Sequence, residues 1–471
     1  MGCLCSSKLT LQGKAVKRTM SFPSTIDQSD FSGCNSASIR SFHYEYKLQP
    51  SSVGSGLLGE IKLCTHKVSL KTYAVKVISK SNLTPDELKK KTIESQVKMM
   101  QSIDHPTILK IYDFFEDFSN FYLIMDYING GDLFTKMEQY GRFSEKTASK
   151  IMKQLLLALS HLHSKNIVHR DVKCENLLVE ERSGQFAVKL IDFDTIAKLA
   201  EGKKLEGIQG TVYYMAPEVV SGFYNEKCDI WSAGIVLYSL ITQNFPFGGS
   251  NDDDIMRNIQ TREVNLDILK ESKASKELLA FIGKLLNKAQ DSRPSARQAL
   301  EHPWILKHNK VGKIKKTVKI HYDHFWGYLK HALKMWAIKN IVHPREIVDW
   351  HLVFVDFDKN ADGVISREEL SAAVENEEWL DKIIELADWN GNGVLEYYEF
   401  LSIFVQGNTL LKYSDEIIQE LDKDNSGQVS LRSLVSYLEY SLEGVFARDN
   451  IVEQFHSLNL ANSEILDLLN D

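Results

Sequence analysis

HRDVKCEN, residues 169–176, sets an aspartate, a lysine and an asparagine close together: Asp171, Lys173 and Asn176. A carboxylate can orient a hydroxyl and take its proton, an ammonium can steady a phosphate, and an amide oxygen can ligate a hard divalent cation. One such stretch is suggestive only. It decides a fold when the rest of the machinery stands in order on either side.

On the N-terminal side, GSGLLGEI (54–61) is a GxGxxGxI loop. Its glycines let backbone approach nucleotide phosphates with no Cβ in the way. Val53, Gly54, Ser55, Gly56, Leu57, Gly59 and Ile61 are therefore candidate nucleotide contacts. The β-type run TYAVKVI (72–78) then carries Lys76, suited to the α- and β-phosphates. On the C-terminal side, LIDFDTIAK (190–198) supplies Asp192 as the magnesium ligand beside Asn176, and APE (216–218) closes the segment, with Arg293 expected to pair with Glu218.

This ordered set resembles the eukaryotic protein kinase family over roughly residues 44–305. The resemblance implies a two-lobed fold with ATP and Mg2+ in the cleft; in YLIMDYINGGDLF (122–134) it implies Met125 at the back of the pocket and Asp126 to Ile128 as the hinge that meets adenine. Asp132, also counted on the nucleotide side, and Glu175 match acidic positions that read arginine in basophilic kinases, which implies protein substrates with basic residues near the phosphosite. Two departures stand out. Asp194 replaces the glycine of the magnesium loop, with loop stiffness as its expected effect. The helix opening at TPDE (84–87) carries Gln96 on the inward face with Ile93, Val97 and Met100, where a glutamate normally pairs with the strand lysine. Glutamine cannot neutralise Lys76, so weakened or differently regulated activity is expected.

Farther on, DKNADGVISREE (358–369) has the pattern of a calcium-binding EF-hand loop. Asp358, Asn360 and Asp362 offer side-chain oxygens, Val364 a carbonyl, Ser366 a water-mediated contact and Glu369 a bidentate carboxylate. DWNGNGVLEYYE (388–399) repeats the pattern through Asp388, Asn390, Asn392, Val394, Glu396 and Glu399, with fewer acidic ligands and so weaker expected affinity. DKDNSGQVSLRS (422–433) offers Asp422, Asp424, Ser426 and Gln428 but ends in Ser433, so weak binding is expected. Asn459–Leu466 reads as the remnant of a fourth hand, kept for pairing.

Net charge is −7 over 471 residues, but it is unevenly spread. Residues 306–340 hold nine lysines against one aspartate, and residues 341–471 hold 27 acidic against eight basic residues. A basic segment followed by an acidic unit points to their mutual contact and away from nucleic acid. FWGYLKHALKMWAIKNI (325–341) places Phe325, Leu329, Ala332, Leu333 and Trp336 at helical spacing among lysines, a form that EF-hands bind. A helix that simply packs on the catalytic unit fits the same pattern.

No run of about 18 apolar residues is present. Instead MGCLCSSK (1–8) fits N-myristoylation at Gly2, with Cys3 and Cys5 as palmitoylation candidates. The spacing of the six cysteines suits neither zinc nor a disulfide framework. The expected setting is cytoplasmic, with the chain a monomer anchored peripherally to the cytoplasmic face of a membrane.

Kinase, basic junction and EF-hands in this order resemble the calcium-dependent protein kinases of plants and protists. The expected fold is multidomain α+β: a disordered tail (1–42), a bilobal kinase domain (43–305), a junction (306–345) and an all-α EF-hand domain (346–471). The resemblance implies a serine/threonine kinase using ATP, Mg2+ and Ca2+, blocked at rest by its junction and released when its own EF-hands grip that helix. Two rival readings are a calcium-responsive pseudokinase scaffold and a kinase activated by separate calmodulin.

Overall fold

The computed structural model describes residues 41–55, 59–67, 71–83, 97–200, 202–309, 324–372, 374, 380–381, 383–384, 387–388, 390–422, 426–430, 434, 438 and 459–469. Gly2, Cys3, Cys5, Gly56, Leu57, Gln96, Asp424 and Ser433 lie outside these residues.

Aromatic and β-branched runs build the first layer. β1 (Tyr46–Ser55), β2 (Glu60–His66), β3 (Thr72–Ser79), β4 (Ile111–Glu116) and β5 (Asn120–Met125) form one antiparallel sheet, in the order β1-β2-β3-β5-β4. β3 is central. Lys76 lies opposite Ile61 on one side and Leu123 on the other, so a fully paired strand fixes its backbone. At the start of β2, a Cβ on Gly59 would lie 2.1 Å from the Val77 carbonyl oxygen. Sheet packing therefore demands glycine there, apart from any contact with phosphate. Phe42, expected in a disordered tail, is buried and stacks on Tyr122 at 4.3 Å between ring centres, so the ordered unit begins at least one residue earlier.

The second layer is helical. α1 (Leu133–Tyr140) is N-capped by Asp132, and α2 (Glu145–Ser164) by Ser144. α3 (Lys227–Thr242) is apolar nearly all round and lies at the centre of the lobe, as such a composition requires. The hairpin of β6 (Leu177–Arg182) and β7 (Gln185–Leu190) links α2 to the segment before α3. A last helix runs Pro303–His308, three residues past the expected boundary, with the Trp304 indole donating to Glu145 at 2.8 Å.

The third unit comprises α4 (His324–Asn340), α5 (Val348–Phe357), β8 (Ile365–Ser366), β9 (Val394–Leu395), α6 (Tyr397–Phe404), α7 (Ser414–Leu421), β10 (Gln428–Ser430), β11 (Asn459–Ala461) and α8 (Asn462–Leu469). β8 pairs with β9, and β10 with β11, so the loops come in two couples and the remnant hand does pair. α4 lies in the core of this unit: Leu329, Ala332, Leu333 and Trp336 are buried, and so are Lys330 and Lys334. Residues 329–338 are buried throughout, so that stretch of the helix is enclosed, not two-faced.

Contacts join this unit to the kinase lobes. α5 packs on β6 and β7, and Val355 and Ala361 join the core of the kinase lobe. Lys153 pairs with Asp356 at 2.9 Å, and Arg182 bonds the Glu346 carbonyl. Lys71 Nζ donates to the Lys339 carbonyl at 2.7 Å, a cation at the negative end of α4.

Candidate active site and calcium loops

The catalytic loop is fixed from beneath. Asp229, buried in α3, accepts the backbone N–H groups of His169 and Arg170 at 2.9 and 2.8 Å and also contacts His163 Nε2 at 2.9 Å. Burial works against its charge, yet the His163 contact and the backbone donors hold its carboxyl below the ordinary range. Above that anchor, Asp171 Oδ2 accepts from Lys173 Nζ at 2.6 Å and from Asn176 Nδ2 at 3.2 Å. Thr211 Oγ1 donates to Asp171 Oδ1 at 2.7 Å and accepts from Lys173 at 3.0 Å. HRDVKCEN and the segment before APE thus meet at one carboxylate. The Glu218–Arg293 pair forms as its spacing suggested, bidentate at 2.6 and 2.5 Å, with Arg293 buried over the Trp231 ring.

Asp192 adopts a left-handed backbone, φ 67°, on the edge of the cleft. Its Oδ1 is buried without a hydrogen-bond partner and lies 3.6 Å from Lys76 Nζ. A buried carboxylate oxygen without a hydrogen-bond donor fits a divalent-cation ligand, and the adjacent Ile191 N–H bonds the Asn176 carbonyl at 2.9 Å. Burial opposes its ionisation, but Lys76 leads the charges that hold its pKa down. Lys76 is also bonded to both oxygens of Asp194, at 2.6 and 2.5 Å. That overturns the expectation that Asp194 acts mainly through loop stiffness: it is the nearest charge partner of Lys76. Burial lowers the lysine's pKa and the two aspartates more than offset this, so it is held charged. Asp194 is pushed up to about 6 by burial, with the Asp192 charge adding to the rise and Lys76 opposing it.

At the hinge, the Asp126 carboxylate accepts from Tyr112 at 2.7 Å and from Lys189 at 3.2 Å. Met125 is buried at the end of β5 and Ile128 beyond it. Val53 is exposed on β1, and Gly54 and Ser55 continue that strand into the glycine loop opposite Ile61 and Glu60. Asp132 spends both oxygens on Thr135, at 2.7 and 3.0 Å. Glu175 meets the Tyr214 hydroxyl at 3.3 Å, and burial raises its pKa. The sequence reading placed no structural duty on either acid. The helix-cap position of Asp132 was legible in the DLFT order.

In the first calcium loop, Asp358 accepts Asp362 N–H at 3.2 Å and Gly363 N–H at 3.1 Å. Asn360 Oδ1 accepts Asp362 N–H and Asp362 Oδ1 accepts Val364 N–H, each at 3.0 Å. Gly363 has φ 89° and faces His105 so closely that a Cβ would fall 2.8 Å from the ring. Glu369 closes a capping box with Ser366. Burial pushes the Asp358 carboxyl up to about 7, with the Glu369 charge adding to it. Two buried carboxylates opposing each other fit a site built for a cation. The second loop repeats the scheme through Asp388, Asn390, Asn392 and Val394, with Glu396 and Glu399 in the same capping arrangement. The third differs. Asp422 Oδ2 accepts from the Asn462 side chain at 2.8 Å, and Ser426 Oγ donates to the Gln428 carbonyl at 2.9 Å. The Asn462 donor comes from outside the loop, and the loop's last position is Ser433 where the first two have Glu369 and Glu399.

A nucleotide-cleft carboxylate cluster joined to paired calcium-type loops defines a protein kinase with an EF-hand unit. Residues 48–305 match the family model for the protein kinase domain, and residues 351–374 match that for an EF hand. Calcium-dependent protein kinase 4 of Plasmodium berghei (strain Anka) is 33% identical over 421 residues, covering 81% of this chain and 78% of that protein. Its namesake in Plasmodium falciparum (isolate 3D7) is 33% identical over 412 residues, with the same coverage. Calcium-dependent protein kinase 5 of Plasmodium berghei (strain Anka) is 30% identical over 424 residues, covering 87% of this chain and 74% of that protein. The chain belongs to the calcium-dependent protein kinase family, whose kinase domain uses ATP and Mg2+ and whose EF-hands bind Ca2+.

Proposed function

We propose that the chain is a calcium-regulated serine/threonine kinase whose junction covers the cleft at rest and is withdrawn by its own EF-hands. The carrying observation is that residues 329–338 of α4 are enclosed in the EF-hand core, while the Asp171 cluster is assembled. A helix whose apolar side chains are buried there is unavailable to cover Asp171. Occupation of α4 by the same chain also favours internal calcium sensing over separate calmodulin. Calcium shifts such an equilibrium only through its different affinity for the two states.

Asp171 orients the substrate hydroxyl and receives its proton, and Lys173 and Thr211 hold that carboxylate in place. Lys76 would hold the α- and β-phosphates, and Asn176 and Asp192 the metal. The nucleotide with Mg2+ supplies the transferable phosphoryl group and charge neutralisation when bound. Val53 to Ile61 would cover the phosphates, and Asp126 and Ile128 would frame the adenine. Asp132 and Glu175 would attract arginine on the substrate. Asp358, Asn360, Asp362, Val364 and Glu369, with Asp388, Asn390, Asn392, Val394 and Glu399, would hold calcium. Gly2, Cys3 and Cys5 would anchor a cytoplasmic monomer to membrane.

The decisive experiment is transfer of labelled phosphate to a basic serine peptide with and without calcium, with Asp171→Asn as control. Calcium-stimulated transfer that the control abolishes is the expected result. Equal labelling by the control would end the catalytic reading.

A further inference from the structure

The strand lysine has lost one carboxylate and gained another. Gln96 stands where the helix face normally carries a glutamate, and Asp194 stands where the magnesium loop normally carries glycine. Each departure alone would disturb Lys76. The geometry joins them: Lys76 Nζ contacts both Asp194 oxygens at 2.6 and 2.5 Å, while Asp192 reaches it through one oxygen at 3.6 Å.

The turn that presents Asp194 is anchored on both sides. Phe193 is buried, its ring centre 5.8 Å from that of His169. Thr195 Oγ1 donates to the His169 carbonyl at 2.7 Å, and Arg170 Nε donates to the Thr195 carbonyl. The short helical turn Phe193–Thr195 therefore offers the carboxylate from a fixed base, and the pair lies out of bulk water. A charge pair in such surroundings sets the lysine's direction far more firmly than one at the surface.

We propose that Asp194 is a positioning residue that takes over the helix glutamate's duty toward Lys76, and that the exchanges at 96 and 194 are one compensated change. The proposal rests on the kinase reading above. It moves the lysine's tether from the helix to the magnesium loop. Lys76 is then aligned by the same turn that carries Asp192, and its alignment depends less on the pose of the helix.

The test is a four-member cycle in the full-length chain with calcium present: parent, Asp194→Gly, Gln96→Glu and the double variant. Two quantities are read, kcat/KM for ATP with a basic peptide and the affinity for MgADP by fluorescence titration. Asp194→Gly should lower kcat/KM on the order of 10²-fold, the effect of a misplaced binding group. Adding Gln96→Glu should recover most of that loss, yet give the parent background no comparable gain. Asp194→Asn, which keeps the shape without the charge, should behave as Asp194→Gly does, and its thermal unfolding reports whether it folds.

Equal factors for Gln96→Glu in both backgrounds would overturn the proposal. So would Asp194→Gly or Asp194→Asn binding MgADP more tightly than the parent, because Asp194 would then be a lock competing with the phosphates. Should the parent bind nucleotide but transfer no phosphate, the kinase reading fails, and the affinity cycle still decides the counter-ion.

Discussion

His351 of the EF-hand unit meets Gln154 of the kinase unit through one buried hydrogen bond, Nε2 to Oε1 at 3.1 Å. The same glutamine oxygen accepts Val188 N–H at 2.8 Å, while its amide donates to the Phe186 carbonyl at 2.9 Å. Since Oε1 only accepts, Nε2 carries the imidazole proton, and Nδ1 is left to accept from the Tyr397 hydroxyl at 3.1 Å. A single glutamine thus ties α2, β7 and α5 together, and burial keeps the histidine neutral there.

A pH dependence follows from that neutrality. Burial pushes the His351 pKa down to about 3, with Lys189 and His105 pressing the same way. The folded state binds this proton less readily than the open chain does. The contribution is therefore present above the ordinary pKa of about 6.5 and is lost as pH falls below it. At about pH 5.5 one such histidine costs about 1.4 kcal/mol. Thermal unfolding of the calcium-loaded chain should fall between neutrality and that pH, and His351→Gln should flatten the fall. An identical slope in the variant would show that the bridge does not matter.

Arg293 and Glu218 provide a prediction on stability. Their bidentate pair is buried, and the guanidinium also donates to the Asn287 and Lys227 carbonyls at 2.6 and 2.8 Å. Removing one partner strands the other away from water, at a cost of about 3–5 kcal/mol. Glu218→Gln should lower the denaturant midpoint accordingly. Replacing both residues with apolar ones should cost less than the single change, and the reverse order would contradict the buried-charge account.

Calcium stoichiometry should be two per chain. Glu369→Gln and Glu399→Gln should each remove one binding event in titration calorimetry. Asp422→Asn should remove none, because the third loop ends in Ser433 and lacks the bidentate carboxylate. With two working loops, the activation curve should be shallower than that of a four-site protein. Three bound ions in the parent would refute the reading of the third loop.

Legibility in the sequence followed locality. Asp171, Lys173 and Asn176 lie within one turn-sized stretch, and each EF-hand loop carries its ligands in a continuous run, so letters alone located them. The glycine loop likewise announced β1 and β2. The Lys76–Asp194 pair was illegible for the opposite reason: its partners are 118 residues apart, and only the fold brings them within reach. Asp194 was read from its local turn chemistry, which says nothing of where the side chain ends. Burial of Lys330 and Lys334 was missed as well, because basic residues at helical spacing suggest a solvated face. Asp132 shows a third kind of limit, since one carboxylate can serve as helix cap and as recognition group, and the sequence does not rank the two.

Thr211 gives the most discriminating prediction about chemistry. Its hydroxyl lies between the two working groups, donating to Asp171 Oδ1 and accepting from Lys173 Nζ. Asp171 Oδ2 is already taken by Lys173 and Asn176, so Thr211 is what fixes the rotation of the other oxygen. Thr211→Ala leaves the proton acceptor in place but frees it to turn, and kcat should fall by about 10- to 100-fold with KM for ATP little changed. Thr211→Ser keeps the hydroxyl and should retain most activity. Thr211→Asp sets a second carboxylate against Asp171, and repulsion with desolvation should abolish transfer. An active Thr211→Asp variant would contradict this placement of the hydroxyl between Asp171 and Lys173.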